Sequence, residues 1–209
     1  MSQKGFTLIE LLIVIGILAI LSTAMVLVIN PAELLRRSRD TQRLSDLSTL
    51  KTAIGYYLVN VSNPYIGGTS TNDTCAGGTT PKLWATVSGV RAAGWTASYS
   101  TTTVSKIDGT GWVPIDFTHL TGGSPIGSLP LDPSNTSATS TPSLYYTYVC
   151  NKDNLTFEMT ANMESDYYKK GGTNDVESKD GGDIDTLYES GTELTIGPSG
   201  TSTNFYPGA

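Results

Sequence analysis

The sequence predicts an α+β protein in which a long N-terminal α-helix, membrane-spanning in its first half and amphipathic in its second, packs on a small antiparallel β-sheet head. Three observations carry this expectation. Phe6 to Ile29 is almost wholly apolar, interrupted only by Thr7, Glu10, Gly16, Ser22 and Thr23, and holds no proline; roughly 20 such residues span the ~30 Å hydrocarbon core of a bilayer. Beyond Pro31, Leu44, Leu47, Leu50, Ile54, Tyr57 and Leu58 recur at spacings of three and four, one stripe of an amphipathic helix. Further on, Leu144, Tyr146, Tyr148 and Cys150, then Leu155, Phe157, Met159 and Ala161, fall at every second position, the period of a strand.

Taken in order, the apolar run and the stripe make one helix from Phe6 to Asn60, about 80 Å long at ~1.5 Å per residue. Pro31 lacks a backbone donor and marks a kink or local opening near 27–31. The helical face opposite the stripe is expected to hold Arg36, Arg39, Arg43 and Asp46. Asn63-Pro64 closes the helix, because a residue before proline resists the α region. Residues 61–209 form the head. Residues 65–80 read as an exposed loop holding Cys75, residues 81–90 as a short helix, and residues 94–100 and 111–117 as short strands. Residues 144–150 and 155–163 pair as an antiparallel hairpin across Asn151–Asn154, one face toward the helix and one outward, and a last strand falls near 187–196.

Composition narrows the function. The chain has 209 residues, a net charge of −6, one histidine and two cysteines. That balance speaks against an electrostatic nucleic-acid binder, which needs a basic surface, and the Cys/His count is too small for a usual zinc site. No Walker A or Rossmann glycine pattern occurs, and His119 has no evident Ser/His/Asp set around it, so no enzyme is expected. Trp84, Trp95 and Trp112 read as head-core aromatics rather than a binding face. The charge is a sum of opposites. Residues 31–51 hold five cations against three carboxylates, whereas from Asp108 onward 14 acids face four bases.

The apolar N-terminus has two plain readings, a secretory signal peptide cut near Ser22-Thr23-Ala24 and a simple anchor. The run continues past the first site, and Glu10 argues against the second, since a carboxylate inside a membrane segment costs on the order of 3 kcal/mol and marks function.

Lys4-Gly5-Phe6-Thr7-Leu8-Ile9-Glu10 ahead of an apolar helix resembles the class III leader of type IV pilins and type II secretion pseudopilins. The resemblance covers about the first quarter of the chain and implies a pilin-like fold: residues 1–5 a leader, 6–29 a transmembrane and filament-core segment, 31–60 an amphipathic segment, 61–209 a β-rich head. It implies that a prepilin peptidase cuts after Gly5 and N-methylates Phe6. It also implies that Glu10 of one subunit pairs with the N-terminal amine of the next, giving a helical homopolymer of identical or related pilins. The assembly platform and motor ATPase come in trans. The single-pass precursor sits in the cytoplasmic membrane, head outward, and then joins a surface filament. A pseudopilin that pushes secreted proteins is the alternative within the family; a membrane-anchored extracytoplasmic binding domain or enzyme is the alternative outside it. Family members often place a helix-breaking residue earlier than Pro31, which leaves Gly16 as a second kink candidate.

Cys75 and Cys150 are expected to form one disulfide, in keeping with an oxidising space. Asp175, Glu177, Asp180, Asp183 and Asp185 cluster around two glycines. Oxygen ligands on a flexible turn suit Ca2+, and the major pseudopilins carry calcium in this part of the head, but the spacing misses the EF-hand pattern. A solvated acidic loop is the preferred reading and a Ca2+ site the alternative; no other cofactor is expected.

Overall fold

The computed structural model describes residues 5–68, 73–79, 81–92, 94–99 and 103–198. Two helices open it. Helix α1 runs Leu8–Ile29 and α2 runs Pro31–Asn60. One residue separates them: Asn30 adopts the left-handed conformation (φ 44°, ψ 75°), which asparagine tolerates better than most side chains. It also caps α2, its Oδ1 accepting the Glu33 N–H at 3.4 Å. Pro31 occupies the first position of α2, where its missing donor costs nothing.

The head is built on one five-stranded sheet of order β2-β1-β3-β4-β5, with β1 Lys82–Ala85, β2 Thr96–Ser98, β3 Tyr146–Cys150, β4 Phe157–Ala161 and β5 Tyr188–Gly191. β1 and β2 are parallel and the remaining pairs antiparallel. The β3–β4 hairpin has Tyr146 opposite Ala161 and Cys150 opposite Phe157. The architecture is the expected α+β, pilin-like one, a long N-terminal helix with an apolar start and a mostly antiparallel sheet.

The core lies between α2 and the sheet. Leu47, Leu50, Ile54 and Tyr57 are buried against Tyr146, Tyr148, Phe157 and Met159. Phenolic oxygens reach polar partners at the edges of this layer: Tyr146 donates to Asp46 at 2.9 Å and Tyr148 to the Ile66 carbonyl at 2.8 Å. Trp84 and Trp112 are buried here, and the Trp112 indole donates to the Pro130 carbonyl at 2.9 Å. Cys75 and Cys150 form a disulfide that ties the 73–79 loop to the end of β3, beside an Ala76–Asn151 bridge.

Several local expectations are corrected. Residues 81–90 begin as strand β1, because Leu83 and Ala85 face one layer while Trp84 faces the other. Residues 111–117 form no strand. Trp112, Val113, Ile115 and Phe117 are all buried as an irregular plug that ends in a 3-10 turn over Phe117–His119, a run that Pro114 denies one ladder donor. The outer face of the hairpin is not open to solvent. Leu83, Tyr145 and Val149 meet Ile184, Leu187 and Ile196 there in a second buried layer. Gly191 is required in this arrangement, since a Cβ at that position would stand 2.1 Å from the Phe157 carbonyl oxygen.

Candidate functional site in the N-terminal helix

The start of α1 is set by a capping box. The first-turn N–H groups of a helix lack carbonyl partners and need side-chain acceptors. Thr7, extended at φ −79° and ψ 151°, supplies one: its Oγ1 accepts the Glu10 N–H at 3.3 Å. Glu10 replies through Oε2, which accepts the Thr7 N–H at 2.9 Å and the Thr7 hydroxyl at 2.8 Å. Thr7 interrupts the apolar run for this reason, and its Thr-x-x-Glu spacing is the local signal of such a box. Among the described residues Glu10 Oε1 takes no hydrogen bond.

Every residue from Gly5 to Met25 is exposed, Phe6 at 88%. This bare apolar cylinder carries one carboxylate, at its first turn. Leu8–Met25 is long and apolar enough to cross a membrane. At ~1.5 Å per residue, the 22 residues of α1 reach about 33 Å. Gly16 lies inside unbroken helix; the interruption falls at Asn30-Pro31.

Residues 1–26 match the prokaryotic N-terminal methylation motif. The match is consistent with the precursor of a type IV pilin or pseudopilin, and it points to a structural subunit rather than an enzyme. The leader with the apolar helix behind it fits a membrane-anchored precursor that a prepilin peptidase processes. No curated protein and no solved structure matches the chain. Of the leader, Gly5 is described and stands exposed next to Phe6; residues 1–4 lie outside the described residues.

The stalk is fixed to the head by a buried ion cluster that overturns the polar-face expectation. Arg43 is fully buried and so is Asp40, because Arg43 precedes Leu47, Leu50 and Ile54 on the inward stripe. Its guanidinium donates from Nε and Nη2 to Asp132 at 2.7 and 2.9 Å, from Nη1 to Asp40 at 2.7 Å and from Nη2 to Glu164 at 2.6 Å. Arg39, half-buried, forks onto Glu164 at 2.8 and 2.6 Å. Burial opposes the charge on Glu164, but hydrogen bonds and attraction from Arg39 and Arg43 outweigh it and hold the carboxyl down at about 2. Burial likewise disfavours the Arg43 cation, and Asp132 and Glu164 more than offset this, raising its pKa. Asp46 is half-buried with its pKa raised by burial, against the Tyr146 hydroxyl.

The five acidic residues of the 174–185 segment do not converge. Asp175 accepts the Ser178 hydroxyl and the Ser178 and Gly171 N–H groups, which hold its carboxyl at about 2. Glu177 is buried, which pushes it up to about 7 while it accepts from Met163 and Lys170 N–H. Asp180 accepts from Gly182 and Glu189 N–H, Asp185 pairs with Lys170 at 2.8 Å, and Asp183 is exposed. Among the described residues no group of three His, Cys, Asp or Glu side chains is placed to hold a metal ion. The carboxylates act instead as caps for a chain with few regular ladders. His119 is exposed, 3.3 Å from Asp116.

Proposed function

We propose that this chain is a structural subunit of a type IV pilus-like filament, cut after Gly5, N-methylated at Phe6 and polymerised outward from the cytoplasmic membrane with identical or related subunits. The observation that carries the reading is the bare apolar surface from Leu8 to Met25 with a lone carboxylate at its head. An exposed apolar face of this size needs lipid or protein around it. Cleavage creates an ammonium on Phe6 at membrane depth, as costly there as an unpaired Glu10. Glu10 Oε2 is occupied by Thr7. Oε1 is then the acceptor for the amine of a neighbouring subunit, so that charge matching sets the axial stagger between subunits. Motor ATPase and assembly platform act in trans.

Mass spectrometry of the mature N-terminus tests processing: N-methylated Phe6 is the expected result, intact Met1 would leave a plain anchor, and a start near Met25 would indicate a signal peptide. Assembly is tested with Glu10→Leu as sole subunit. The variant is expected to accumulate in the membrane and to yield no sheared surface fibres; normal fibres would end the charge-matching role of Glu10.

A further inference from the structure

The stalk meets the head around an open cavity of about 520 Å3, lined by Arg36, Arg39 and Lys169 and by the hydroxyl-bearing Ser140 and Thr141. The lining's carboxylate, Glu164, is already claimed by Arg39 and Arg43 at 2.6 Å each. Arg36 and Lys169 make no ion pair among the described residues. A chain of net charge −6 thus keeps two unpaired cations at one concavity.

Position says what fills it. Arg36 and Arg39 lie seven and ten residues beyond Ile29, the end of α1. At ~1.5 Å per residue they stand at most about 10–15 Å from the end of the apolar helix. The headgroup layer adds roughly 5–8 Å on each side of a bilayer core, and arginine and lysine side chains extend to reach it. The same end of the head carries Tyr167-Tyr168-Lys169-Lys170, whose paired tyrosine rings meet edge-on at 4.9 Å. Arg37 sits over the Tyr167 ring at 4.5 Å and so holds this segment to the first turns of α2. Leu34 and Leu35, in the first turns of α2, are 48% and 63% exposed. Tyrosine, lysine and exposed leucine together form the side-chain set of a membrane interface.

We propose that this cavity seats the phosphate of an anionic phospholipid headgroup, so that the head rests on the bilayer surface while the subunit awaits assembly. Arg36 and Lys169 supply the charge and Ser140 and Thr141 the hydroxyl donors. A carboxylate of a second copy would satisfy the same cations, but it accounts for neither the tyrosines that precede Lys169 and the exposed leucines that precede Arg36 in the chain nor the distance from α1. The proposal rests on the membrane-anchored reading of the chain.

The test offers the full chain, in non-ionic detergent, equal amounts of phosphatidylglycerol and phosphatidylcholine and counts retained lipid by native mass spectrometry. Wild type is expected to favour phosphatidylglycerol by roughly tenfold or more. Arg36→Gln with Lys169→Gln should bring retention to parity without moving the melting temperature, and Arg36→Lys with Lys169→Arg should keep the preference. Equal retention by wild type, or an unchanged preference in the double Gln variant, overturns the proposal. Inorganic phosphate bound as tightly as the lipid would make this a free-anion site and overturn it too. So would carbodiimide cross-linking of Lys169 to a second copy at the expense of lipid. Flotation with neutral phosphatidylcholine vesicles separates the two readings: a chain that stays out of the vesicles defeats the membrane reading and this proposal together, whereas normal flotation without lipid preference defeats the proposal alone.

Discussion

Replacing Arg43 by leucine is expected to cost the head about 3–5 kcal/mol, the penalty for breaking a buried ion pair and leaving its partners uncompensated. Three carboxylates face the fully buried guanidinium, and none can turn to water. Asp40 accepts the Glu164 and Ser165 N–H groups at 2.9 and 2.8 Å, Asp132 accepts those of Ser134 and Asn135, and Glu164 is clamped by Arg39. Each acid therefore keeps its place when the cation goes, and their repulsion is felt in full. A loss of this size is a large share of the 5–15 kcal/mol typical of a domain. Thermal melting of the full chain in detergent should show the head transition fall by many degrees or vanish. Arg43→Lys is expected to recover only part, because an ammonium cannot fork onto Asp132 while reaching Asp40 and Glu164. If Arg43→Leu melted like wild type, the cluster would be incidental to the joint between stalk and head.

That cluster also marks where the sequence stopped being informative. The apolar run and the Leu47, Leu50, Ile54 stripe were legible because membrane thickness and helical period act over a few turns. The β3–β4 hairpin was legible because alternation is equally local. Arg43 stands four residues before Leu47 on the inward stripe, so its burial was in principle readable. Its partners Asp132 and Glu164 lie 89 and 121 residues away, and no local pattern names them. The outer sheet face misled for a related reason. Glu158, Thr160 and Glu189 alternate with apolar residues as if facing water, yet Ile184, Leu187 and Ile196 fold back over them. The disulfide rested on the oxidising space and the even cysteine count, not on anything the strand pattern supplied. The acidic segment reads by composition as a solvated loop with a Ca2+ site as the alternative; its backbone has few ladder partners, and Asp175 and Asp180 are spent on its N–H groups.

The head is expected to be most stable in mild acid and to weaken steadily from about pH 5 to pH 9, on account of Glu158 and Glu189. Both are almost fully buried, at 1% and 2% exposure, on the covered face of β4 and β5. Glu158 Oε2 accepts the Ile196 and Gly197 N–H groups at 3.0 Å, and Glu189 Oε2 accepts that of Ile184 at 2.9 Å. The remaining oxygen of each is buried without an N–H or hydroxyl donor among the described residues, and the two carboxyls can bond each other only by sharing a proton. Burial is the first cause for both: at Glu158 it outweighs the Gly197 and Ile196 N–H groups and the Glu189 side chain, with Asp183 adding to it, and at Glu189 the charges of Glu158 and Asp180 add to it, so both carboxyls stand above the ordinary 4.5. Glu177, at about 7, is shifted the same way by burial. The sign follows from which state holds the proton. Below pH 4.5 these groups are protonated folded and unfolded alike, so their stabilisation is fully present. Above it the unfolded chain ionises first, and stability drains away until the folded groups ionise too. For Glu177 alone the loss is on the order of 3 kcal/mol at 1.36 kcal/mol per unit. Glu164 works in the opposite sense, but its contribution, complete above 4.5, fades only as the pH falls toward 2. Glu189→Gln removes one of the two competing charges and gives Glu158 an amide donor. It should melt higher than wild type at pH 8–9 and equal to it near pH 4, flattening the alkaline limb. A wild-type melting temperature that stays level from pH 5 to 9 would mean that the two carboxyls do not share a proton in the fold, and that the 184 and 196 segments are held down by apolar contact alone.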